Sequence, residues 1–207
     1  MWTLRFAAAL DAWAAVPAAD EHERCREWPA AVAHAVSKRW EVEAGPRFSE
    51  SLLQVLDMLQ SSRPQGALAD LVTWQTPSPV PVRVSVHPVV QDEATDWAAL
   101  GFEASPYLGG PFGEGVQYTR RIPEEEAYGV ASIDAAVVFD RGDAAVVVRV
   151  HACPVDVYVA AAPAIAELID SCVLTDPTGR PFTTGKSEYR RVDDPDVWPE
   201  EGMSARV

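Results

Sequence analysis

The sequence predicts an α+β fold, with an antiparallel sheet of about five to seven strands covered by helices. Three observations carry this. The first third places apolar residues at helical spacing: Trp28, Val32, Val36 and Trp40 recur every four, and Leu52, Val55, Leu56 and Leu59 line one stripe. The later part turns to β-branched residues, alternating at Val82, Val84 and Val86 and nearly continuous in "VASIDAAVVF" and "AAVVVRVHAC". Those two runs are joined by Asp140-Arg141-Gly142-Asp143, a short glycine-bearing connection that marks a hairpin. Both runs are apolar on their two faces near the turn, so the sheet there requires cover on both sides. A chain of 207 residues, 48% hydrophobic, supports such a core, since a domain of this size buries roughly 70% of the surface its unfolded form exposes. Residues 1–175 read as one α+β domain, with 1–65 mainly helical and packed on the sheet, and 176–207 read as an irregular tail.

Taken in order, "WTLRF" alternates with Trp2, Leu4 and Phe6 on one side, which suits a short strand, and the alanines that follow suit a helix equally well. Asp20 with Glu23 forms a capping box, and Pro29 ends or kinks that helix or begins the next, over about 29–40. Ser49 caps the clearest helix, with Phe48 placed to staple Leu53, and "SSRPQG" ends it. "DLVTWQ" reads as a strand and "PSPVPV" as a stiff connector. Val82, Val84 and Val86 alternate with Arg83, Ser85 and His87, a strand with one wet face that Pro88 ends. Asp92 to Leu100 allows a helical turn or two; "YLGGPFGEG" is a glycine-rich loop, "VQYTRRI" a strand, and "EEE" a turn. After the hairpin, Ile165, Leu168, Ile169 and Cys172 predict a closing helix over 157–172 with Pro163 in its first turn, and "VLTD" is a last short strand. The closing helix covers one face of the hairpin and the N-terminal helices the other.

Charge narrows the partners. Seventeen Lys and Arg against 31 Asp and Glu leave a net charge of −14. Such a surface repels nucleic acid and anionic lipid and favours a basic protein partner. No stretch approaches 18 uncharged apolar residues, and Asp11 with a lone Arg5 speaks against an export signal in the opening residues. Three distant cysteines, Cys25, Cys153 and Cys172, without a CxxC, fit reduced thiols in a cytoplasmic protein, with a Cys153–Cys172 bridge left open.

No constellation of catalytic residues is complete. "TGRPFTTGKSEY" ends like a phosphate loop, but five residues separate Gly179 from Gly185 where four are required, and Pro181 removes an amide. The 107–115 loop does not match GxGxxG and leads into a strand. The histidines at 22, 34, 87 and 151 never pair at metal-ligand spacing on one element, so no metal or cofactor is expected. His151 and Cys153 lie at i, i+2, about 7 Å apart on a strand, but a packed, inert Cys153 is the expected reading. Seven tryptophans are many for this length. Trp28 and Trp40 fit the helix ridge, whereas Trp97, Trp198 and Phe112 at the glycine-loop tip are the aromatics offered for partner contact.

The pattern of "VVVRVHACPVDVYVAAAPAIAELIDSCVL", a long hairpin strand followed by a closing helix and a strand, resembles the end of the Mog1/PsbP-like α/β sandwich over residues 80–175. The resemblance implies a protein that binds or assembles other proteins and transfers no functional residue. The expected function is a non-enzymatic acidic protein-binding module, such as an adaptor, a secretion-associated factor or an immunity-type inhibitor. The alternatives are a small-molecule binder or enzyme using the 107–115 loop with His151, and a structural subunit of a larger assembly.

Overall fold

A computed structural model describes residues 1–7, 12–40, 46–90, 95–108, 110–127 and 129–184. Strands β2 (Trp13–Ala15), β3 (Ala69–Thr73), β4 (Val82–Val90), β5 (Glu103–Tyr107), β6 (Gly115–Ile122), β7 (Ser132–Asp140) and β8 (Ala144–Pro154) form an antiparallel sheet in the order β2-β3-β4-β8-β7-β6-β5. Helices α1 (His22–Trp40) and α2 (Pro46–Ser61) lie between β2 and β3, and α3 (Val155–Asp170) follows β8. The strands β1 (Thr3–Phe6) and β9 (Cys172–Thr175) pair antiparallel as a separate ribbon.

The two faces of the sheet are covered by different elements. On one face Val82, Val84 and Val86 of β4 and Val146, Val148 and Val150 of β8 pack with Ile165, Leu168 and Ile169 of α3. On the other, Val72 and Trp74 meet Trp28, Val32 and Val36 of α1 and Leu52, Leu56 and Leu59 of α2. Leu71 and Val72 are neighbours in β3 yet belong to opposite clusters, as the period of two demands. Farther along that second face, Trp97 and Phe102 roof Tyr118 and Ala136. Each valine buried this way contributes about 1.5–3 kcal/mol, so the centre of the sheet, β4 and β8, is the stability core.

Several local expectations are corrected. Pro29 neither ends nor starts a helix but sits inside α1. Its missing N–H leaves the Cys25 carbonyl without the i+4 donor, and the Gln60 side-chain amide of α2 donates to that oxygen at 2.9 Å. Asp20 is not the capping side chain. Glu21 accepts from the Ala18 amide at 2.8 Å, and its own carbonyl accepts from Cys25 N–H. Helix α2 begins at Pro46, so Ser49 lies within it. Leu53 is exposed, while Phe48 packs on the helix-pair cluster instead of stapling it. Pro163 is interior to α3. Pro88 does not end β4, which pairs with β8 through Pro88↔Val146 as far as Val90. The strand β2 stands where a helix was equally open, and of the segment from Asp92 to Leu100 the described part forms a turn, with the Ala99 amide donating to Asp96 Oδ1 at 3.0 Å.

The stretch 176–184 does not simply trail, because Asp176 and Phe182 are buried against the body while the residues between them are exposed. Phe182 is 2% exposed, its amide donates to the Leu174 carbonyl at 2.8 Å, and its ring meets Trp2 and Phe112 edge-on. Residues 185–207, including Trp198, lie outside the described residues.

Candidate functional site

The strand predicted to have one wet face carries instead a polar band pressed under the helix pair. Arg83 is 8% exposed and Ser85 is fully buried. The Arg83 guanidinium donates to both oxygens of Asp70, at 2.9 and 2.7 Å, to Ser62 Oγ at 2.9 Å and to the Leu59 carbonyl at 3.0 Å. It therefore neutralises a buried carboxylate and closes the C-terminus of α2 in one arrangement. The next alternate residues continue the band: Ser85 Oγ lies 2.8 Å from His151 Nε2 and 2.9 Å from His87 Nε2. A hydroxyl between two imidazoles can donate to one and accept from the other, and the ring that accepts at Nε2 must be neutral. Burial, followed by the Arg83 charge, pushes His151 down to about 4, and burial lowers His87 in the same direction.

A second ion cluster completes the band. Asp134 accepts from Arg149 at 2.7 Å and from Arg120 at 3.3 Å. The Arg149 guanidinium stands 5.4 Å over Trp97, and that of Arg120 stands 5.0 Å over Phe102. Trp97 is 8% exposed and stacks on Tyr118 at 5.2 Å. It is thus buried against a half-exposed arginine pair rather than presented to solvent.

Phe112, expected at a loop tip, is 1% exposed and packs against Phe139 and Phe182. The loop glycines serve this packing. A side chain at Gly115 would meet the Phe139 ring at 2.9 Å, and one at Gly113 would meet Thr184 Oγ1 at 2.5 Å. The phosphate-loop resemblance also acquires a structural reason, because Asp176 Oδ1 accepts from the amides of Thr178 and Arg180 at 2.8 and 3.1 Å. The protein's own carboxylate occupies those donors. The three cysteines are free, and burial pushes Cys153 and Cys172 up to about 12, so neither is a ready thiolate. The bulge in β8 after Val150 turns Cys153 to the α3 face, away from His151. Among the described residues, no group of three or more His, Cys, Asp and Glu could hold a metal ion.

The arrangement open to a partner lies on the α3 face. Helix α3 packs on β4, β8 and β7 and leaves β5 and β6 beyond its edge, which creates a groove of about 170 Å³. Ala135 and Val137 form part of its floor and Ala162, Ile165 and Ala166 its wall. Tyr107, Gln117 and Tyr158 bring the polar groups. The register Tyr107↔Gly115 and Ser105↔Gln117 puts Tyr107 and Gln117 on one face by strand alternation. Burial raises both phenols, and the charge of Asp170 adds to the effect on Tyr107. Sequence reasoning identified Tyr107 only as part of the glycine loop and missed Gln117 and Tyr158. The available signal was the i, i+4, i+8 series Tyr158, Ala162, Ala166, a helix edge too small to reach the sheet.

Compared with known proteins, the chain matches no family model, no curated protein and no solved structure. Among the described residues no helix is long and apolar enough to cross a membrane.

Proposed function

We propose that this chain is a non-enzymatic acidic module that binds a basic protein in the cytoplasm, as an adaptor, a secretion-associated factor or an immunity-type inhibitor does. One observation carries the reading: four arginines, of which only Arg83 is buried, are held in ion pairs with aspartates, while a larger set of carboxylates is exposed and unpaired among the described residues. Arg83, Arg120, Arg141 and Arg149 are tied to Asp70, Asp134, Asp143 and Asp176. Glu124, Glu125 and Glu126 in the β6–β7 turn, Glu103 at the start of β5, Glu114 just before β6, and Asp156, Glu167 and Asp170 along α3 are exposed. None of them forms an ion pair among the described residues. Of these, Asp170 follows the groove residue Ile169, and its charge acts on Tyr107. Electrostatic complementarity of this kind steers a cationic partner and rejects an anionic one.

The polar band weighs against a catalytic use of His151, since its partner Ser85 is fully buried and its ring is engaged on the inward side. The likeness of residues 80–175 to the Mog1/PsbP-like sandwich, retained as a proposal about fold, points the same way. The test is capture from the native lysate at low and at moderate salt. A basic protein retained at low salt and released as salt rises supports the reading, because exposed charges lose reach beyond a Debye length of about 8–10 Å. Capture indifferent to salt, or retention of a small molecule with no protein, contradicts it.

A further inference from the structure

We propose that the groove between α3 and strands β5–β7 receives one cationic side chain, a lysine or arginine of the partner, with its stem along the helix and its head at Tyr107. This rests on the protein-binding reading above and adds what the partner must present.

Size selects the ligand first. A groove of about 170 Å³ is well under the roughly 300–1,000 Å³ of drug-sized or cofactor sites. It is a site for one side chain rather than for a whole drug-sized ligand.

Chemistry selects last. The wall and floor are alanine, valine and isoleucine, which suit a methylene stem. The phenol of Tyr107 and the amide of Gln117 make no hydrogen bond to the protein among the described residues, so both are free to accept from a ligand. Asp170 is exposed at the last turn of α3, close enough for its charge to act on Tyr107. No lysine or arginine lines the slot. An anionic head is therefore repelled, and a neutral chain forgoes the carboxylate. Lysine and arginine bury their stems and keep a solvated charged head, which matches an apolar slot with a polar, acidic mouth.

The test uses probes and needs no partner. The alanine and isoleucine methyl resonances are followed by NMR while n-butylguanidinium, its uncharged isostere n-butylurea, or acetyl-Gly-Arg-Gly-amide is added. Saturable shifts at Ala162, Ile165 and Ala166 are expected with the guanidinium and the peptide, and about tenfold weaker binding with the urea, as loss of one charged contact implies. Ala166→Leu fills the slot from an exposed position and abolishes the shifts. Asp170→Asn, also at an exposed position, weakens guanidinium binding several-fold and leaves the urea unchanged. Equal binding of urea and guanidinium, shifts that survive Ala166→Leu, or no shift with either cation overturns the proposal. Binding of free butylguanidinium without the peptide overturns the side-chain source. A groove that binds both cations while lysate capture fails removes the basic-protein reading and leaves the slot, so the two failures are distinguishable.

Discussion

At the scale of single residues, the account depends on Arg83 and His151. Arg83 holds Asp70 and the end of α2 together where neither charge meets bulk water. Removing one member of a buried pair strands the other, so Arg83→Ala is expected to cost about 3–5 kcal/mol in chemical denaturation. The double change Arg83→Met with Asp70→Leu recovers much of that loss, because it leaves no unpaired charge. His151 sets a pH dependence. Its folded pKa is about 4, while a free imidazole titrates near 6.5. Between those values the unfolded chain takes up a proton that the folded chain refuses. Stability is therefore unaffected by this group above about pH 7 and falls as pH drops from about 6.5 to 4. His87, lowered in the same direction, adds to it. Urea midpoints at pH 7, 6 and 5 are expected to decline, with a slope for one group of at most about 1.4 kcal/mol per pH unit. His151→Gln is expected to flatten the decline.

At the scale of elements, α1 and α2 depend on each other through a proline. Gln60→Ala leaves the Cys25 carbonyl without its donor and is expected to cost about 1–2 kcal/mol. In a Pro29→Ala background the restored amide supplies that bond, so the same change costs less, and a double-mutant cycle measures the coupling. This exchange was not legible in the sequence. A proline in a helical pattern announces a break unless another element supplies the missing bond, and that element is thirty residues away in the chain. The helical stripes of Trp28, Val32 and Val36, the hairpin at Gly142 and the closing helix were legible, because periodicity is a local consequence of having one buried face. The alternation of Arg83, Ser85 and His87 misled for a related reason. A polar face under a second layer has the same spelling as a polar face under water, and only the partners at Asp70 and Leu59 distinguish them. Trp97 and Phe112 were likewise readable as aromatic but not as buried, since loops carry no period from which to infer a side.

At the scale of the whole molecule, the centre of the sheet is covered on both faces while edge strand β5 stays exposed, and the arrangement of charge is what remains for function. The stretch that follows β9 belongs to this body. Phe182→Ala empties a site 2% exposed beneath Trp2 and Arg141 and is expected to cost about 3–5 kcal/mol. The net charge is −14, and the groove beside α3 is an apolar site on this acidic body. The Val155 amide donates to the Ala131 carbonyl, which places the start of α3 beside the β6–β7 connection that carries Glu124, Glu125 and Glu126. The most direct measurement compares partner affinity for two triple variants of equal net charge. One changes Glu124, Glu125 and Glu126 to lysine, and the other changes Glu23, Glu27 and Asp57 on the helix pair to lysine. Loss of about tenfold or more for the first, with the second within about twofold of the unaltered chain, is expected if the carboxylates beside the start of α3 are the contact. Equal loss for both, or loss for neither, contradicts it.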